Sequence, residues 1–161
     1  MRDFDFELIT LKGSDSKLLN QIQDLEKMTF AEGGEDLWTL RPMAEQQLIL
    51  AALNKDIISA YAILWKQWSN PKIAYLYSFV VNPSNRGIGL GRSFFAEIKQ
   101  CLINMEIDFL QLTLEESNSS AKRIYSTEAQ LVEERFVPNA YGPGEDRHHW
   151  TLDLRDCLYQ S

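Results

Sequence analysis

Cysteine is scarce in this 161-residue chain: Cys101 and Cys157 stand alone, at no metal-ligand spacing. Two such thiols make no disulfide framework and read as reduced groups in a reducing, cytoplasmic compartment. Histidine is equally scarce. His148 and His149 are neighbours in the sequence, and neighbours on a strand point to opposite faces, so no metal site is expected. Positive charge is in deficit, with 16 Lys and Arg against 23 Asp and Glu and a formal charge of −7. A non-specific nucleic-acid binder needs a basic face to meet phosphate, so that class is excluded. An acidic surface instead steers cations such as amines. No apolar run approaches bilayer length. The opening Met1-Arg2-Asp3-Phe4-Asp5-Phe6-Glu7 lacks the basic and apolar regions of a signal peptide, so no membrane partner is expected. Repeats, low-complexity tracts and linkers are missing too. The expectation is one α/β domain with a mixed sheet over residues 1–155, followed by a short, frayed tail over 156–161.

What is present is a regular alternation of patterns. Phe4, Phe6 and Leu8 alternate with charges, which predicts a half-buried strand. Ser14 or Asp15 is placed to cap a helix whose apolar face is Leu18, Ile22, Leu25 and Met28. Residues 31–42 hold two glycines, a proline and several acids and read as a loop, at most with a short helical turn. Residues 47–53 and 57–65 are apolar and β-favouring around Asn54-Lys55-Asp56, which predicts a hairpin. Residues 73–81 form a third long strand. Residues 90–105 carry Phe94, Phe95, Ile98, Leu102 and Met105 on one helical face. A strand over 109–114, a helix over 119–127 with Asn118 or Ser119 at its cap, and strands over 131–137 and 147–154 complete the chain.

The segment richest in chemistry is Phe79-Val80-Val81-Asn82-Pro83-Ser84-Asn85-Arg86-Gly87-Ile88-Gly89-Leu90-Gly91-Arg92. A strand runs into a glycine-rich turn, and the turn opens a helix. Glycines let the backbone approach a phosphate closely, and successive N–H groups at the positive helix end point at its charge. Pyrophosphate is the natural guest. The P-loop pattern fails because no lysine follows the glycines, and the dinucleotide fingerprint fails because Arg92 stands at its third glycine. A turn needed only to reverse the chain is the competing reading.

Arg86-Gly87-Ile88-Gly89-Leu90-Gly91 resembles the coenzyme A signature of the Gcn5-related N-acetyltransferase (GNAT) superfamily, Gln/Arg-x-x-Gly-x-Gly/Ala. The resemblance implies the acyl-CoA N-acyltransferase fold, α/β with a central mixed, mostly antiparallel sheet flanked by helices. It also implies that the amides of residues 86–92 hold the pyrophosphate of acetyl-CoA, and that the backbone of Phe79, Val80 and Val81 pairs with the pantetheine arm and thioester. A second match follows in the expected order. Asn118-x-x-Ala121-x-x-x-Tyr125 resembles the family's later motif Asn-x-x-Ala-x-x-x-Tyr, which implies that Asn118 contacts coenzyme A and that Tyr125 is the general acid for the leaving thiolate. Taken alone, Tyr125 reads as a helix tyrosine packed on the sheet. The chain departs from the pattern just after, where Gln130-Leu131 replaces a common Gly-Phe.

The general base is less marked. At positions where some members of the family place a glutamate, this chain has Tyr75 and Thr113; Glu115, two residues on from Thr113, shares its strand face and is the candidate base. A solvated strand end for Glu115 and Glu116, or base work through a chain of waters, are the alternatives. On the acceptor side, Asn139-Ala140-Tyr141-Gly142-Pro143-Gly144 resembles the loop of acetyltransferases acting on protein N-termini. That likeness implies Tyr141 in the acceptor site. Glu32, Glu35 and Asp36 lie in the first long loop, which contributes to that site in the family, and Glu35 is the candidate to bind an ammonium by charge-assisted hydrogen bonds. The expected protein is thus an N-acetyltransferase, monomer or homodimer, working by direct transfer in a ternary complex on a peptide N-terminus, polyamine, amino acid or antibiotic amine. A non-catalytic acyl-CoA sensor and an enzyme using another acyl-CoA are the rival readings.

Overall fold

The computed structural model describes residues 4–155. The expected frayed tail lies outside the described residues. The elements are β1 (Glu7–Thr10), α1 (Ser16–Phe30), a 3-10 turn (Ala31–Gly33), α2 (Leu37–Gln46), β2 (Leu48–Asn54), β3 (Ile57–Lys66) and β4 (Ile73–Val81). A second 3-10 turn (Pro83–Asn85) leads to α3 (Leu90–Asn104), β5 (Phe109–Leu114), α4 (Ser119–Glu128), β6 (Gln130–Val137) and β7 (Arg147–Asp153). The strands form one seven-stranded sheet in the order β1-β2-β3-β4-β5-β7-β6. β4 and β5 pair in parallel; β1–β2, β2–β3, β5–β7 and β6–β7 are antiparallel. This is the mixed, mostly antiparallel sheet that the sequence implied.

Packing divides the chain into two compact units, Met1–Trp65 with Tyr77–Phe94, and Lys66–Leu76 with Phe95–Ser161. The first unit is built on the hairpin β2–β3, with Lys55 of its turn at φ 55°. Its core joins Leu19, Ile22 and Leu25 of α1, Leu40 and Ala44 of α2, and Ile49, Tyr61 and Val80 of the strands. Burying each large apolar side chain contributes about 1.5–3 kcal/mol.

Three local expectations change here. The first strand is shorter than its alternation suggests: it begins at Glu7, leaving Phe4 and Phe6 ahead of it. Phe6 stands edge-on to Phe94 at 6.3 Å. Met28 is not on the buried stripe of α1 and is 67% exposed. It lies about 120° around the helix from Ile22, and Leu19 and Glu26 take the buried positions. The stretch read as a loop to residue 42 contains α2. Pro42 removes one intrahelical bond, a feature that ordinarily breaks a helix. Here Asp36 caps the first turn by accepting from the Thr39 N–H at 3.2 Å, and burial of Leu40 and Ala44 holds the rest.

In the second unit, the first half of β4 pairs with β5 from Ile73↔Phe109 to Leu76↔Leu112. β7 then pairs with β5 on one side and with β6 on the other. Phe95, Ile98 and Leu102 of α3 are buried, whereas Met105 falls after the helix end and is half exposed, because the chain leaves the helix through Glu106 at φ 61°. Asn118 caps α4, accepting from the Ala121 N–H at 3.2 Å. The buried Lys99 ammonium donates to the Glu128 carbonyl at the other end of α4, where a cation also complements the helix dipole. Among the described residues no helix is long and apolar enough to cross a membrane.

Candidate functional site

The glycine turn belongs to the first unit. Asn82 ends β4 with its backbone N–H donating to the Ser59 carbonyl at 2.9 Å, and its side chain accepts from the Ser84 N–H at 3.2 Å. Arg86 folds back, its Nε donating to the Val81 carbonyl at 3.0 Å, which ties the turn to the strand it leaves. Gly87 at φ 76° and Gly89 at φ 97° occupy the left-handed region that side chains rarely adopt. Ser93 N–H donates to the Gly89 carbonyl at 3.2 Å, so α3 begins directly on the second of these glycines. The first turn of any helix has no intrahelical acceptors for its amides. Residues 86–89 are exposed, and nothing lies within 4 Å of a Cβ built on Gly87. An exposed turn with two left-handed glycines at the positive end of a fifteen-residue helix suits an anion. Phe79 is stacked on Phe94 at 5.7 Å, which fixes the strand end that precedes the turn.

Glu35, the sequence candidate for binding an ammonium, also lies in this unit and is half-buried. Its carboxylate accepts from the Tyr77 hydroxyl, and its backbone N–H donates to Glu26 Oε2 at 3.1 Å. Tyr77 stacks on Trp65 with ring centroids 4.4 Å apart. Glu26 lies in no motif of the sequence. It is 2% exposed, and its Oε1 accepts from the Tyr61 hydroxyl at 2.5 Å and the Ser78 hydroxyl at 3.0 Å. Burial, then the Glu26 charge, push the Tyr61 hydroxyl pKa far up. The available signal was a glutamate on the buried stripe of α1, four residues after Ile22.

The second unit holds the remaining candidates. Tyr125 is buried, its ring 5.0 Å from that of Phe95. Burial pushes its hydroxyl pKa well up from a value at which a phenol is already protonated at neutral pH. Asn118 is exposed, with its amide oxygen engaged as the α4 cap. Three hydroxyls converge at β5: Thr113 Oγ1 lies 3.4 Å from the Tyr75 hydroxyl and 3.5 Å from that of Tyr141. Arg147 joins this group to Glu115, its guanidinium 5.1 Å above the Tyr141 ring and 3.3 Å from the Glu115 carboxylate. Tyr75, Thr113, Tyr141 and Glu115 are therefore neighbours. His148 contacts Glu116 and Glu134, while burial and the Arg135 charge lower the pKa of His149. Among the described residues no His, Cys, Asp and Glu group is arranged to hold a metal ion.

The chain belongs to the acetyltransferase (GNAT) family, whose sequence profile matches residues 19–128. No curated protein matches the sequence significantly. Solved structures share the fold at low identity. The ribosomal-protein-S18-alanine N-acetyltransferase from Escherichia coli superposes with TM-score 0.78 at 21% identity, covering 92% of this chain and 94% of that one. The aminoglycoside 6'-N-acetyltransferase from Enterococcus faecium gives 0.73 at 15%, covering 92% and 97%. A Bacillus subtilis acetyltransferase in complex with CoA gives 0.68 at 11%, covering 92% and 99%.

Proposed function

We propose that this protein is a cytoplasmic N-acetyltransferase, a single catalytic domain over residues 1–155, that moves the acetyl group of acetyl-CoA to a primary amine in a ternary complex. The observation that carries the reading is the turn in which Gly87 and Gly89, both at positive φ, open α3. Such a turn suits the coenzyme's pyrophosphate. CoA bound to the Bacillus subtilis relative agrees with it. In this reading residues 86–92 bind the pyrophosphate, Asn118 contacts the coenzyme, and the backbone of Phe79 to Val81 orients the thioester.

The amine nitrogen attacks the thioester carbonyl carbon, the C–S bond breaks, and the Tyr125 hydroxyl gives its proton to the departing thiolate. A buried phenol held neutral suits that role. The acceptor arrives as an ammonium and gives up a proton first. Tyr141, Thr113 and Tyr75 offer a route for that proton, and Glu115, paired with Arg147 beside them, receives it through water. Glu35 holds the incoming cation by charge-assisted hydrogen bonds. Positioning supplies much of the rate, since an amine is already a good nucleophile and needs no covalent enzyme intermediate.

The acceptors named for relatives of this fold, a ribosomal-protein alanine and an aminoglycoside, define the screen. Acetyl-CoA is mixed with an alanyl peptide, an aminoglycoside, spermidine or free amino acids, and released thiol is followed. Turnover with at least one amine is expected. Hydroxyls at positions 75 and 113, where the family resemblance places a glutamate in some members, favour a second reading as a non-catalytic acyl-CoA sensor. Coenzyme binding without turnover of any amine would establish that reading instead.

A further inference from the structure

The only carboxylate in the buried residues of α1 has no part in the reaction just described. Glu26 lies among the apolar residues Leu19, Ile22 and Leu25, a costly place for a charge unless it is fully hydrogen-bonded. Its two oxygens are divided. Oε1 takes two core hydroxyls, from Tyr61 on β3 at 2.5 Å and Ser78 on β4 at 3.0 Å. Oε2 turns outward to the Glu35 backbone N–H at 3.1 Å, in the segment between α1 and α2. The core thus holds the carboxylate, and the carboxylate holds the loop.

A second contact fixes the same loop from its other side. A Cβ on Gly34 would meet the carbonyl carbon and oxygen of Glu26 at 2.7 Å. That atom is backbone and has no way to swing aside, so the loop lies on the end of α1 at a distance only glycine permits. The Gly34 N–H donates to the Ala31 carbonyl at 3.2 Å, closing the turn. With residues 34 and 35 pinned in this way, the Glu35 side chain meets the Tyr77 hydroxyl, and Tyr77 is in turn fixed by stacking on Trp65.

We propose that Glu26 is a positioning residue for acceptor binding: by anchoring the Glu35 amide it sets the direction in which the Glu35 carboxylate meets a cationic amine. The inference rests on the reading of Glu35 as the ammonium-binding group. Glu26 itself touches neither substrate. Loss of its outward bond leaves the chemistry of transfer intact and weakens hold on the amine, the pattern of lost uniform binding.

The test uses the full chain and the fastest amine of the screen above. Glu26→Gln retains the shape of the side chain, but its amide cannot serve three donors as a carboxylate does. The expected result is an amine KM raised about tenfold with kcat and acetyl-CoA affinity within about twofold, and faster hydrogen exchange at the Glu35 amide. Gly34→Ala displaces the same loop without altering any carboxylate and is expected to give the same split. If Glu26→Gln does not fold, Gly34→Ala decides alone. Glu35→Gln is run beside them. A raised KM for Glu35→Gln with an unchanged KM for both other variants overturns the positioning role while leaving the acceptor reading standing. An unchanged KM for Glu35→Gln removes the acceptor reading, and the positioning role with it.

Discussion

Thr113 Oγ1 stands 3.4 Å from the Tyr75 hydroxyl, joining β5 to β4 through two hydroxyl groups. Burial pushes the Tyr75 hydroxyl pKa up, with the bond from Thr113 opposing the shift and Tyr141 adding to it. Neither hydroxyl is a strong base, but in the proposed mechanism the two together pass on the proton of the amine. Thr113→Val retains the shape and removes the link. The expected outcome is a fall in kcat/KM of up to about 10², largest below neutral pH, where more of the amine arrives protonated. A kcat/KM unchanged across pH would mean that these hydroxyls only pack.

Acetyl-CoA is expected to stabilise the folded chain. A ligand at a hundredfold excess over its Kd contributes about 2.7 kcal/mol, enough to raise a melting temperature by several degrees. The measurement is a thermal melt with and without saturating coenzyme. A melt that does not move removes the coenzyme-binding reading of the turn.

Gly89→Val tests where the coenzyme binds. At φ 97° a branched side chain is strained by about 1–3 kcal/mol, and its Cβ would stand 3.7 Å from the Phe4 ring. Coenzyme affinity should drop sharply while the fold persists. Gly144→Ala is the control: at φ 79°, with nothing within 4 Å of the new Cβ, it carries strain of the same kind outside the turn. Titration of both variants with acetyl-CoA separates the two effects. Equal losses would show that strain alone explains the change.

The parts of the fold that sequence made legible are those whose local signals agree. The β2–β3 hairpin, β5 and the start of α3 combine period, turn residues and glycines that all indicate the same element. α2 was hidden because Pro42 opposes it locally, and only the Asp36 cap and tertiary burial overcome that. Met28 was misplaced because a four-residue apolar pattern tolerates two nearby stripe directions, and only packing selects one. Glu26 is silent in the sequence because a buried carboxylate acquires its meaning from Tyr61, Ser78 and Glu35, up to 52 residues away in the chain. The glycine turn is continuous in sequence and was readable. The cluster of Tyr75, Thr113 and Tyr141 is assembled from three separate elements, so no local pattern announces it.

Tyr125→Phe addresses the chemical step. The ring packs against Phe95 in either case, and only the proposed donor to the thiolate is lost. General acids contribute about 10²–10⁴ in rate, so kcat should fall by that order with acetyl-CoA affinity nearly unchanged. Weaker binding at a normal rate would make Tyr125 a coenzyme contact instead, and no change in either would make it a packing residue. The raised pKa supplies an independent check. An unfolded tyrosine ionises near pH 10, whereas burial keeps the folded Tyr125 hydroxyl neutral beyond that point. Its contribution to stability is therefore fully present below about pH 10 and is lost as pH rises toward the folded value. The phenylalanine variant has no such group to ionise, so above pH 10 its melting temperature should fall less steeply than that of the parent. Parallel slopes would mean that burial does not raise the pKa of this hydroxyl, and the acid role would then rest on the kinetic result alone, since an ordinary phenol is also protonated at neutral pH.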